Sequence, residues 1–228
     1  MTSPPNGLII CGTDTNVGKT IVSALLVQGL NAIYWKPIQS GLQNGGDTGQ
    51  ICKLLKLPKE RWVKEVYKFQ AATSPHWAAE QENKVIDPCR LQLPVINKPL
   101  VLETAGGLLV PLNRQLLQID HLNFWNLPVV LVTRTGLGTL NHTLLSIEAL
   151  RSRNIPLLGL ILNGPHHEDN PKTLEQFGNI QIICHLPILK EINAKELAKQ
   201  WQKQNLTSTF KQLLQMSSPH TEHLKHEQ

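Results

Sequence analysis

Short, continuously apolar runs recur along this chain, separated by polar and glycine-rich stretches. Residues 8–11, 32–35, 100–102, 129–132, 157–162 and 180–183 form the series. Continuous apolarity, in place of strict alternation, is the pattern of strands buried on both faces. Between them, residues 20–30, 47–56, 141–153 and 171–177 are helix-compatible. Alternating strands and helices predict an α/β fold, a parallel sheet with helices on both faces, with ligands bound at the carboxyl ends of the strands. Residues 57–97 carry Pro58, Pro75, Pro88 and Pro94 among short mixed segments and read as an elaborated connection within a single domain, 1–216. Residues 194–216 are again helix-compatible. Residues 217–228 are polar and predict a disordered tail. Its His220, His223 and His226 read as solvated, not as a metal site.

The polar stretch after the first apolar run changes the picture most. Gly12-Thr13-Asp14-Thr15-Asn16-Val17-Gly18-Lys19-Thr20 leaves the predicted strand 8–11 and enters the predicted helix 20–30. Strand, glycine turn, Gly-Lys-Thr and helix together are the context of a phosphate-binding loop, so the fold is expected to be P-loop NTPase-like. Backbone N–H groups of Asn16, Val17, Gly18, Lys19, Thr20 and Ile21 would face an anion, with the helix N-terminus behind them. Lys19 adds a point charge and Thr20 a hydroxyl for Mg²⁺. The usual spacing puts the first glycine at position 13; here it stands at Gly12. The bland alternative is a glycine that merely makes the turn before a helix.

Composition narrows the class further. Of 228 residues, 41% are hydrophobic and 17% charged, which fits a globular protein with a substantial core. The net charge of +5 is scattered and aromatics make up only 5%, so neither a basic arm nor a stacking platform for nucleic acid is expected. A mild positive bias suits anionic small molecules. The apolar runs are far shorter than the roughly 20 residues of a membrane helix. Cys11, Cys52, Cys89 and Cys184 are well separated and form no C-x-x-C pair. Cys11 and Cys184 read as small buried hydrophobes, and a reducing, cytoplasmic setting is expected.

Three further positions bear on the chemistry. Lys36, leaving the second strand in Trp35-Lys36-Pro37-Ile38-Gln39-Ser40-Gly41, is equally a neutraliser of a developing anion or a snorkelling surface lysine. Asp47 is either a helix N-cap or an active carboxylate. Glu103 ends an apolar strand ahead of Thr104-Ala105-Gly106-Gly107; a carboxylate there needs a partner, either a structural ion pair or a metal. One hydroxyl (Thr20) and two carboxylates (Asp47, Glu103) make a plausible Mg²⁺ set, and Gly106 and Gly107 permit close approach of backbone to phosphate. No convincing Ser-His-Asp set is present.

Together, the loop, Lys36-Pro37 with Ser40-Gly41, Ser74-Pro75-His76, Glu103 with Ala105-Gly106-Gly107, and Leu137-Gly138-Thr139-Leu140-Asn141-His142 resemble the dethiobiotin synthetase family, in order, from Leu8 to about Leu189. The resemblance implies ATP-dependent carboxylation and ring closure of 7,8-diaminononanoate with CO₂. It implies Lys36 as the catalytic lysine, aided by Lys19, with Thr15 and Ser40 near the carbamate and diamine. Thr20, Asp47 and Glu103 match the Mg²⁺ ligands. Thr104, Ala105 and Gly106 lie beside the phosphates. Asn163, with Gly164 after it, matches the adenine-reading position, and Pro187, Ile188 and Leu189 flank the base. Thr139, Leu140 and Asn141 open a helix suited to the substrate carboxylate, contributed by the neighbouring subunit of a homodimer.

Four positions depart from the family pattern: Asn16 for Glu, Thr104 for Gly with its bulk beside Mg²⁺ and phosphate, Gly164 for Asp, and Cys184 for Gly. Three other readings compete. Related amidotransferase ligases need a glutaminase domain for which this chain has no room. Partition and septum-site switch ATPases carry a signature lysine five residues before the loop lysine, where this chain has Asp14. An inactive homologue that only binds nucleotide is a third.

Overall fold

The computed structural model describes residues 7–216 of the chain; the predicted tail lies outside the described residues. The strands are β1 (Gly7–Gly12), β2 (Ile33–Trp35), β3 (Ile38–Ser40), β4 (Trp62–Val63), β5 (Tyr67–Phe69), β6 (Leu100–Gly107), β7 (Val129–Arg134), β8 (Leu157–Asn163) and β9 (Ile182–Leu186). The helices are α1 (Lys19–Gly29), α2 (Gly46–Leu55), α3 (Pro75–Gln81), α4 (Gln118–Trp125), α5 (Thr139–Arg151), α6 (Asn170–Gly178), α7 (Ala194–Lys203) and α8 (Leu206–Met216). Seven strands form one sheet in the order β4-β2-β6-β1-β7-β8-β9, every pair parallel. Strands β3 and β5 pair separately, also in parallel.

Strand β1 shows why the apolar runs are unbroken. Ile9 and Cys11 enter the core on one face, with Trp125, Ile147 and Leu174 of α4, α5 and α6. Leu8 and Ile10 enter the core on the other, with α1, Trp201 of α7 and Phe210 of α8. Successive side chains of a strand point to opposite faces, so burial of both faces demands apolar residues at every position. Each fully buried Leu or Ile contributes about 1.5–3 kcal/mol. On the second face the rings of Trp201 and Phe210 stack at 5.7 Å, and a Cβ at Gly29 would lie 2.3 Å from the Trp201 ring, so α1 and α7 meet there.

The α/β expectation holds, with local corrections. The third long strand does not end near Glu103; β6 runs through it to Gly107, and Glu103 stands opposite Ile10 of β1. The final strand begins at Ile182, two residues later than expected, and α5 begins at Thr139, two earlier, behind left-handed Gly138. Residues 194–216 form two helices, broken at Gln204 and Asn205, where Asn205 has a φ of 51°. The prolines of 57–97 conceal β4, an edge strand of the main sheet, together with β5 and α3. Three-residue strands such as β3 leave no periodic signal.

Candidate active site

The turn after β1 folds over its own strand. Gly12 closes β1, and a Cβ there would lie 2.9 Å from Lys19 Nζ and 2.8 Å from a methyl of Val17. Only glycine permits this return, so the unusual spacing still supplies the glycine where the loop needs it. Gly18 caps α1 in the left-handed region, φ 95° and ψ 24°, with no side-chain cap. The first-turn amides are therefore open to an anion. A Cβ on Gly18 would lie 2.0 Å from Asn163 Nδ2. Asn163, at the end of β8, donates from that nitrogen to the Val17 carbonyl at 3.0 Å and so braces the loop from behind. Lys19 Nζ folds back to donate to the Asp14 carbonyl at 2.9 Å. Burial lowers its pKa, and the Glu103 carboxylate opposes that shift.

Opposite the loop, Lys36 leaves β2 and is 5% exposed. Its ammonium donates to Glu103 Oε1 at 3.1 Å and pairs with Asp47 Oδ2. Burial works against its charge, but the two carboxylates overcome it and hold its pKa above the ordinary lysine value. The snorkelling alternative is thereby overturned: the side chain turns inward onto two acids. Glu103 is 1% exposed. Its Oε1 also accepts from Thr20 Oγ1 at 3.0 Å, and its Oε2 accepts from the Tyr34 hydroxyl at 3.0 Å. Burial first, then the neighbouring Glu103, raises the Tyr34 pKa well above its usual value, so the phenol stays a donor. Asp47 is not the N-cap of α2; left-handed Gly45 is, and Asp47 sits in the first turn. Gln39 positions it, accepting from the Asp47 backbone N–H at 2.9 Å while its amide ties down the Ser40 and Gly41 carbonyls.

These groups share a cavity of about 800 Å³ at the carboxyl edge of the sheet, within the range of about 300–1,000 Å³ typical of small-molecule sites. Thr15, Asn16, Gly18, Lys19, Thr20 and Ile21 line it from the loop and the start of α1. Lys36, Ser40, Asp47, Glu103, Ala105 and Gly106 line it as well. The Val17 side chain is buried in the core beneath the loop, which leaves its backbone N–H as the group it can offer an anion. Thr104 also turns away: its hydroxyl donates to the Ile10 carbonyl at 3.1 Å within the sheet. The expected bulk beside metal and phosphate is therefore not there.

The segments expected to hold the base and the substrate carboxylate lie outside this cavity. Gly164 faces Thr135 and His185, whose Nε2 is 2.9 Å from the Gly164 carbonyl. Pro187 and Leu189 follow β9, and Ile188 is exposed. Thr139 is buried in a cluster of hydroxyls with Thr133 and Thr143. Leu140 packs against the core and Asn141 is exposed. Sequence reasoning missed Tyr34 and Gln39, which orient the two carboxylates, and Gln118, which binds the Ala105 N–H and the Gly107 carbonyl. A tyrosine in an apolar run looks like core, and no local signal turns Gln39 inward. Of the cavity wall formed by Thr73, Ser74 and Pro75, the resemblance included Ser74 and Pro75 and missed Thr73.

A parallel sheet with this loop at its central strand defines a nucleotide-binding ATPase domain, and the family described as an AAA domain matches residues 6–196. The fold is similar to a ParA family ATPase from Chlorobium tepidum (TM-score 0.54, 12% identity, 94% of this chain and 98% of that one). It is equally similar to the septum site-determining protein MinD of Pyrococcus horikoshii complexed with Mg-ADP (TM-score 0.54, 13% identity, 94% and 96%). The sequence is much nearer to another group. It is 45% identical to the ATP-dependent dethiobiotin synthetase BioD of Rhodopseudomonas palustris over 83% of this chain and 89% of that protein. It is also 45% identical to that of Novosphingobium aromaticivorans, over 84% and 92%. The biotin biosynthesis bifunctional protein BioCD of Bordetella avium is 48% identical over 88% of this chain, which spans 43% of that longer protein. The chain belongs to the ATP-dependent dethiobiotin synthetase family.

Proposed function

We propose that this protein carboxylates 7,8-diaminononanoate with CO₂ and closes the product to dethiobiotin at the expense of ATP. One observation carries the reading beyond family membership. The buried ammonium of Lys36 and the phosphate loop line one cavity, and the ammonium contacts Asp47 and Glu103, the second of which also accepts from Thr20 of the loop.

One substrate amine takes up CO₂ as a carbamate. A carbamate oxygen attacks the γ-phosphoryl group and ADP leaves. The second amine then attacks the carbonyl of the mixed anhydride, the cyclic urea closes and phosphate is expelled. No protein nucleophile is needed; alignment and charge neutralisation dominate such transfers. Loop amides and Lys19 hold the phosphates, Lys36 neutralises the carbamate and the transferring group, and Thr15 and Ser40 line the space for the diamine. Ser40 Oγ is buried at the wall with no partner among the described residues, as an unmet substrate contact would be.

Thr20, Asp47 and Glu103 fit Mg²⁺: they are hard oxygen donors gathered around one cationic position. When bound, the ion would neutralise phosphate charge. Asn163, Gly164, Pro187, Ile188 and Leu189 form the base end of the nucleotide site.

Leu137, Leu145 and Phe177 stand exposed on and beside α5 and α6. They support a homodimer in which Thr139, Leu140 and Asn141 of one copy receive the carboxylate of the diamine bound to the other. Among the described residues no helix is long and apolar enough to cross a membrane. Similarity to small-molecule biosynthetic enzymes supports a cytoplasmic enzyme of small molecules without nucleic-acid partners, with a single domain over residues 1–216.

Purified protein given diaminononanoate, bicarbonate, ATP and Mg²⁺ should yield dethiobiotin, detected by mass. Folded protein that binds nucleotide but forms none would overturn the proposal and favour a nucleotide switch.

A further inference from the structure

We propose that Lys36 is a resident counter-ion that shares its seat with the divalent cation. Ammonium and metal exclude one another between Asp47 and Glu103, so metal entry releases the Lys36 side chain into the cavity. The inference rests on the reading that Thr20, Asp47 and Glu103 hold the metal.

The placement of Nζ is what suggests it. Glu103 Oε1 is the atom on which Thr20 Oγ1 converges, and Lys36 Nζ lies 3.1 Å from that same atom while also pairing with Asp47 Oδ2. The ammonium thus lies among the three side chains assigned to the ion. A lysine so engaged has two of its three N–H donors committed to the acids. The side chain also lines the cavity, so it borders the space into which it would turn.

Charge permits the exchange. Lys36 and the neighbouring Lys19 together balance the two carboxylates, and the phosphates that accompany a divalent ion bring the anionic charge that the added cation offsets. Both cations together would set like charges a few ångströms apart, and the flexible stem of lysine lets it yield. The newly arrived phosphates and carbamate supply the anions to which it turns. The carboxylate need not collapse when Lys36 departs, because Tyr34 still donates to Glu103 Oε2 at 3.0 Å and Gln39 still holds the Asp47 backbone.

The test is Mn²⁺ binding without nucleotide, measured by calorimetry on the wild-type protein, Lys36→Met, and Lys36→Met combined with Glu103→Gln. Removing a competing charge at this distance should tighten Mn²⁺ binding to Lys36→Met by about tenfold or more, and Glu103→Gln should abolish the gain. Unchanged or weaker binding to Lys36→Met, still lost with Glu103→Gln, would overturn the exchange and leave the metal set standing. Binding to Lys36→Met that Glu103→Gln does not alter would overturn the metal set and the inference with it. Should Lys36→Met fail to fold, the wild-type protein decides. Acylation of Lys36 by a small amine reagent, quantified by mass spectrometry, should rise several-fold at saturating Mg²⁺ and not with Na⁺ at matched ionic strength. An unchanged yield would overturn the proposal.

Discussion

The two ends of the proposed nucleotide site are built differently. The phosphate end is tightly interlocked in space: Thr15, Asn16, Gly18, Lys19 and Thr20 of one continuous loop line the cavity, and Lys36, Asp47 and Glu103 are fixed by Tyr34, Gln39 and Thr20. The base end is drawn from the close of β8 and the turn after β9, and neither segment lines the cavity. Charge neutralisation of a transferring phosphoryl group demands preorganised charges in a dry setting. Holding a base demands only a few hydrogen bonds and a flat surface. Energetic weight should therefore concentrate at the phosphate end.

Substitutions should reveal that asymmetry. Lys36→Ala is the strongest test: turnover should fall by about 10²–10³, while calorimetric nucleotide affinity stays near that of the wild type. Gly18→Ala comes next. Its left-handed φ and the 2.0 Å approach of Asn163 Nδ2 should cost about 1–3 kcal/mol, read as a lower midpoint of thermal unfolding together with weaker ATP binding. Asn163→Ala should be milder, raising KM for ATP by about tenfold, the worth of a single hydrogen bond. Its kcat should change less, and discrimination between ATP and GTP should shrink. A loss of turnover with Asn163→Ala as large as with Lys36→Ala would erase the proposed contrast. The smallest effect is expected from thiol alkylation at pH 8. Burial pushes the Cys11 and Cys184 thiols up to about 12, so exposed Cys89 should label first, with activity unchanged.

The same contrast decided what could be read from the chain. The phosphate loop was legible because its physics is local: strand, glycine return and helix start lie within a few residues of one another. The parallel sheet was legible because both-face burial writes itself as unbroken apolar runs in β1, β7 and β8. Glu103 was noticed as an acid in an apolar context, but its place inside β6 was not, because an ion pair can substitute for apolarity at a buried position. Lys36 and Asp47 read alone stayed ambiguous, since their meaning comes from each other across the cavity. Tyr34 and Gln39 left no trace, as each acts by orienting another side chain. Thr104 was misread because a side chain's direction in a strand depends on register, and register turned it toward the Ile10 carbonyl. The proposed base end rests on family resemblance alone, since Asn163 and Pro187 carry no pattern that marks a ligand.

The most direct test of the central claim is a crystal structure with a non-hydrolysable ATP analogue, Mg²⁺ and diaminononanoate carbamate. The account predicts Lys36 Nζ within hydrogen-bond reach, about 2.7–3.2 Å, of the carbamate or γ-phosphoryl oxygens, with the metal between Asp47 and Glu103. Lys36 still clamped between those two carboxylates, with phosphate and carbamate bound out of its reach, would contradict it.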